Sequence, residues 1–171
     1  CLLSRGLGDV YKRQEQVEAH LAEDAPDVTT AVQTEQKGTG HAVACGLEGL
    51  DELHGEVVVT YGDVPMLTGE TLQRMVEAHR ERRNLVTVLT AEVEDPTGYG
   101  RILREGEAVV GIVEHKDADE AQRAVREINS GIYVFDAEAL REGVSKLSND
   151  NVQGEYCLLY TSDAADERSS V

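Results

Sequence analysis

The stretch Glu56-Val57-Val58-Val59-Thr60-Tyr61-Gly62-Asp63-Val64-Pro65 limits the possible folds more than any other. Val57 to Val59 is an unbroken β-branched run, typical of a strand buried on both faces. It stops at Gly62-Asp63, and Pro65 forbids further ladder bonding. A lone carboxylate therefore stands where a buried strand leaves its sheet. In open α/β sheets ligands bind outside the carboxyl ends of the strands. One carboxylate there suits Mg²⁺, which is held by one or two carboxylates together with substrate phosphates. The alternative use of Asp63 is to cap a turn or the next helix.

Composition narrows the partners. The 171 residues suffice for one core. Asp and Glu number 33 against 16 Lys and Arg, a formal charge of -17, which argues against nucleic acid and anionic membrane surfaces. A nucleotide stays possible, because backbone amides and a metal can balance phosphate charge. Cys1, Cys45 and Cys157 have no metal-ligand spacing and leave an odd count. With no secretory or membrane-spanning run, a cytoplasmic location is expected. Trp is absent and Phe135 is the only Phe, so Val, Leu and Ile must build the core.

Along the chain, Cys1 to Gln14 and Cys157 to Val171 differ in character from the rest and resemble translated adapter sequence. They are expected to be foreign ends, with a partial domain over 15–156. Glu15 to Leu21 suggests the tail of a helix, ended by Pro26, and Val28 to Val32 a short strand. A polar loop, Gln33 to Ala42, leads into a helix from His41 to about Leu50. Strand Val57–Tyr61, helix Thr68–Arg82 and strand Leu85–Val93 follow. This alternation predicts βα units in a mainly parallel sheet. Beyond the Asp95–Gly100 turn, Arg101–Leu103 and Val109–Glu114 suit a hairpin. Asp117–Arg126 suits a charged helix and Ile128–Phe135 a core strand. Asp136 is placed to cap a helix from Ala137 to about Leu147.

Gly38-Thr39-Gly40 ahead of a helix allows close backbone approach to a ligand and offers free amides, although a tight turn needs the same residues. Six segments in order are more specific: Gln33-Thr-Glu-Gln-Lys-Gly-Thr-Gly-His-Ala42, Tyr61-Gly-Asp-Val-Pro65, Asp95-Pro-Thr-Gly-Tyr-Gly-Arg-Ile102, Gly111-Ile-Val-Glu-His-Lys-Asp117, Glu127-Ile-Asn-Ser-Gly131 and Gln153-Gly-Glu-Tyr156. Together they resemble the uridylyltransferase domain of bacterial bifunctional UDP-N-acetylglucosamine pyrophosphorylase/glucosamine-1-phosphate N-acetyltransferases, with an actinobacterial flavour. The resemblance covers essentially Glu15 to Tyr156. It implies a Rossmann-like sheet of the nucleotide-diphospho-sugar transferase type, truncated at both ends, with a small β-hairpin sugar-binding part.

The resemblance also implies the chemistry. UTP and N-acetylglucosamine 1-phosphate would give UDP-N-acetylglucosamine, a cell-wall precursor, and pyrophosphate, with Mg²⁺ bound by Asp63. Gln33 would meet the uracil edge, and Gly38 and Thr39 would hold uracil and ribose. Gly100, Glu114 and Asn129 would contact the sugar, Tyr61 and Gly62 would belong to the substrate site, and Tyr61 and Tyr99 are candidate wall residues with no assigned role. His41 would pack at a helix start and His115 would neighbour the sugar contact. Neither is needed as a base, since a phosphate oxygen is already ionised. Cys45 is expected in the core. The family's glycine-rich phosphate loop should precede Glu15, and Arg5-Gly6-Leu7-Gly8 lacks its Thr and basic residues. The family's second metal-binding Asn should follow Tyr156. The hexapeptide-repeat acetyltransferase domain, through which the parent would trimerise, has no counterpart here. The chain alone is therefore expected to be inactive. Two alternatives stay open: another sugar-phosphate nucleotidyltransferase, or a non-catalytic nucleotide-sugar-binding module.

Overall fold

The computed structural model describes residues 10–35, 37–50 and 53–147, with side chains from Gln16 onward. Gln153 to Tyr156 and most of the two unusual ends lie outside them. In order come α1 (Val10–Asp24), α2 (Thr39–Glu48), β1 (Glu56–Val59), α3 (Gly69–Arg82), β2 (Val86–Glu92), β3 (Arg101–Glu105), β4 (Ala108–Val113), α4 (Glu120–Arg123), β5 (Glu127–Asp136) and α5 (Ala137–Ser145). The residue types explain most boundaries. Thr68 caps α3 by accepting from the Thr71 amide, and Arg83 ends it in the left-handed region. Asp136 caps α5 through bonds from Glu138 and Ala139. Gly106, at φ 61, turns the β3–β4 hairpin.

β5 is the axis of the sheet. Val57 and Val86 both pair with Phe135, and Arg101 and Ala91 both pair with Ile128. β2 therefore follows β5 along one side, while β1 and β3 share the other. The α/β alternation stands, but the expected mainly parallel pairing is corrected: every ladder among the described residues is antiparallel. β1 and β2 do run in the same direction, as a helical crossover requires. They do not pair with each other because β5, from much later in the chain, lies between them and runs the opposite way. The expected strand Val28–Val32 also fails. Both valines are exposed, and no described strand runs beside them to supply ladder bonds. The helix expected over Asp117–Arg126 shortens to α4, because the Asp119–Gln122 capping box starts it late.

Side chains of β5 alternate between two cores. Tyr133 and Phe135 join Val43, Ile102, Ile112 and Leu140 on one face. Ile132 and Val134 join Met75 on the other, with Leu72 and Val76 of α3. Helices thus cover both faces of the strand that connects β1, β2 and β3.

His79, at the end of α3, is buried, and its Nδ1 lies 2.9 Å from Thr87 Oγ1 on β2. Burial holds its imidazole below the ordinary 6.5, with Glu56 and Asp136 opposing the shift. The folded chain thus prefers the neutral ring, while the unfolded chain binds a proton readily. Stability is fully present above pH 6.5 and is lost as pH falls below it. Glu56 acts in a lower window. Its two bonds from Arg80, 2.8 Å each, hold it at about 2 instead of 4.5. That contribution is present above 4.5 and is lost as pH falls toward 2. Urea midpoints measured against pH should therefore decline in two stages. His79→Gln should flatten the upper stage alone.

Candidate active site

The site forms where the shared side of β5 is left open. On that side the last β1 pair is Val59–Tyr133 and, among the described residues, β3 pairs with β5 only at Arg101–Ile128, so residues 130–132 lie between the two ladders. The same register continued two residues beyond Val59 sets Tyr61 opposite Gly131. There the ring lies so close that a Cβ on Gly131 would sit 2.2 Å from Tyr61 Cε2. Gly131 has φ 77, and the register of β2 shifts between Val88 and Thr90 across from it. This is a β-bulge, a device that re-aims side chains at sites. Ser130 fixes it by donating its hydroxyl to the Leu89 carbonyl at 2.6 Å.

Asn129 is the hub. Its amide N–H donates to the Gly100 carbonyl at 2.9 Å, tying β5 to the Asp95–Gly100 turn. Its Oδ1 accepts from the Gly131 N–H at 3.0 Å, and its Nδ2 donates to the Tyr133 hydroxyl at 2.6 Å. One Nδ2 hydrogen and one Oδ1 lone pair are left over. Gly100 is buried and Glu114 half-buried. The Asp95 carboxylate closes the turn by accepting from Thr97, which holds it below the ordinary carboxylate range.

A second group surrounds the start of α2. Gly38, at φ 102, caps the helix with no side-chain bond. Gln33 Nε2 donates to the Gly38 carbonyl at 3.1 Å and lies 2.9 Å from His41 Nδ1. The Gln33 amide nitrogen thus shapes the loop. Thr39 is the first residue of α2. His41 bridges loop and helix, with Nε2 3.8 Å from Cys45 Sγ. Burial pushes the half-buried Cys45 thiol above its ordinary range, so it stays protonated near neutral pH.

Gly62 and Asp63 are exposed in the turn after β1. Asp63 makes no hydrogen bond or ion pair among the described residues. No group of three or more His, Cys, Asp or Glu side chains converges on a cation among them either. A single free carboxylate fits a hard divalent cation whose remaining ligands are phosphate oxygens and water.

This geometry can be set beside known proteins. A family model for nucleotidyl transferases matches residues 9–166. The chain belongs to the nucleotidyl transferase family. It is 97% identical over 149 residues to bifunctional protein GlmU of Cutibacterium acnes, covering 87% of this chain and 36% of that protein. Against bifunctional protein GlmU of Streptomyces coelicolor it is 59% identical over 148 residues, covering 85% and 31%. The chain spans about a third of the length of these curated relatives. Among solved structures it is similar in fold to UDP-glucose pyrophosphorylase complexed with UDP-glucose. There the TM-score is 0.69 at 16% identity, over 99% of this chain and 70% of that one.

In this member of the nucleotidyl transferase family the structure brings Tyr61, Gly100 and Asn129 together around the bulge. It places Gln33, Gly38 and Thr39 in the separate group at α2. Sequence reasoning gave no role to Gly131 or Arg101. Gly131 had a readable signal, a glycine inside a strand pattern, which marks a bulge or close approach. Arg101 had none. It is 1% exposed, yet an arginine at a strand start suggests solvent.

Proposed function

We propose that the protein of which this chain is part transfers UMP from UTP to N-acetylglucosamine 1-phosphate. The observation that carries this reading is the meeting of Tyr61, Gly100 and Asn129 around the Gly131 bulge, at the open side of the central strand. The relatives' bifunctional name and the family match support it. A phosphate oxygen of the sugar phosphate attacks the α-phosphorus of UTP. The new P–O bond forms as the bond to pyrophosphate breaks, and no protein base is required. Positioning two polyanions is the main task.

The residues divide that task. Gln33 offers its carbonyl oxygen to the uracil N–H, while Gly38 and Thr39 lie along base and ribose. Asn129 offers its spare donor and acceptor to sugar hydroxyls, beside the Glu114 carboxylate. The missing side chain at Gly100 leaves room for an acetamido group, and Tyr61 and Gly62 wall the site. Asp63 would hold Mg²⁺, which when bound neutralises phosphate charge. A cytoplasmic setting, a role in peptidoglycan precursor synthesis, and a trimer formed through a further acetyltransferase domain belong to the same reading. No described helix is long and apolar enough to cross a membrane. We also retain 15–156 as the nucleotidyltransferase part of this chain.

The test grafts residues 15–156 into the matching segment of the full-length Cutibacterium acnes relative and measures pyrophosphate release. Turnover is expected with UTP and N-acetylglucosamine 1-phosphate. Preference for another nucleotide or sugar phosphate would replace the substrate assignment. Absence of turnover together with binding of UDP-N-acetylglucosamine would favour a non-catalytic module. Asp63→Asn should weaken Mg²⁺-dependent binding by about tenfold or more, read as titrated amide shifts with and without the metal.

A further inference from the structure

We propose that Arg101 is a positioning residue that staples the open end of the β3–β4 hairpin and so sets the separation of Gly100 and Glu114. This inference rests on the sugar-binding role proposed for those two residues.

Arg101 heads the fully buried side chains. Charged side chains are almost never fully buried unless paired. No carboxylate makes an ion pair with it among the described residues. Its hydrogen-bond partners are a backbone carbonyl and an imidazole nitrogen, while the Asp95 carboxylate feels its charge without pairing with it. Nη1 donates to the Tyr99 carbonyl, and Nη2 donates to His115 Nδ1 at 3.0 Å. Its Nε is buried with no hydrogen-bond partner among the described residues. An arrangement like this is costly, and an apolar side chain of similar volume would often serve stability better. Stability alone therefore does not account for an arginine here.

Its place in the hairpin does. The last ladder pair is Arg101–Val113. One residue further, the same register sets Gly100 opposite Glu114, where the ladder has ended. The guanidinium bonds to the residue before Gly100 and the residue after Glu114. It thus closes the two arms across the point where backbone pairing stops. The Gly100 carbonyl in turn holds Asn129. All three proposed sugar contacts are linked to one rigid fork. Lysine keeps the charge but not the fork, and cannot reproduce two bonds of fixed angle.

The test measures kcat and KM for both substrates in the same full-length graft, carrying Arg101→Lys or Arg101→Met. KM for N-acetylglucosamine 1-phosphate is expected to rise about tenfold or more in both variants, while KM for UTP stays within about twofold. Among the described residues Arg101 makes no hydrogen bond to the groups assigned to UTP, which is why the two constants should separate. Equal rises in both constants, an unchanged sugar KM in Arg101→Lys, or failure of both variants to fold would each overturn the inference. A parent graft without turnover on these substrates would instead sink the functional reading. Turnover in the parent with an unchanged sugar KM in the lysine variant sinks this inference alone.

Discussion

Gly131→Ala is expected to destabilise the domain by about 2–5 kcal/mol, a fall of roughly 5–15 °C in Tm. Two effects add. A side chain at φ 77 occupies the left-handed region, which costs about 1–2 kcal/mol for an L-residue. The new Cβ would also stand 2.2 Å from Tyr61 Cε2 and 2.7 Å from its hydroxyl, so the ring must leave. A double-mutant cycle with Tyr61→Ala separates them. In the alanine background the ring term vanishes, and Gly131→Ala should cost only the backbone term of about 1–2 kcal/mol. An unchanged cost there would show that the ring contact contributes nothing. Ligand binding gives an independent reading. Displacing Tyr61 should weaken UDP-N-acetylglucosamine binding in Gly131→Ala even well below its Tm.

The parts of this fold that were legible are those written locally. The stripe Leu72, Val76 gave α3, and Asp136 gave the start of α5. Gly106 between two short apolar runs gave the hairpin. Each depends on residues within a few positions of one another. Strand order does not. Ile132 to Phe135 announces only a strand buried on both faces. Nothing nearby says that it enters between Val57 and Val86, since those contacts span some eighty and fifty residues. The antiparallel pairing was hidden for the same reason.

The candidate site divides the same way. The strand end ahead of Asp63 was legible because Gly62 and Pro65 mark it. Asn129 was legible only through the ordered motifs, and the structure adds what those could not: its side chain is already part-committed to Tyr133 and Gly131. Arg101 shows the limit most clearly. Whether an arginine is solvated or buried depends on the strands beside it; β4 follows through the Gly106 turn, but β5, which pairs with Arg101 at Ile128, lies beyond α4 in sequence.

Phe135→Ala is expected to cost about 3–5 kcal/mol. Against a typical total of about 5–15 kcal/mol, that places the variant close to unfolding. Phe135 is the only Phe, is 1% exposed, and pairs with β1 and β2 at once. Its ring lies 5.4 Å from that of Tyr133, which accepts the Asn129 bond. The same truncation therefore loosens both the core and the support of the site. Urea denaturation would give the loss directly. Phe135→Leu, which keeps most of the volume, should cost less than about 2 kcal/mol and retain the resolved amide signals of Asn129 and Gly131. If the leucine variant lost those signals while staying folded, the aromatic pair itself would be holding the bulge. If the alanine variant kept them, the bulge would be held by Ser130, Asn129 and Tyr61 alone, independently of the core beneath.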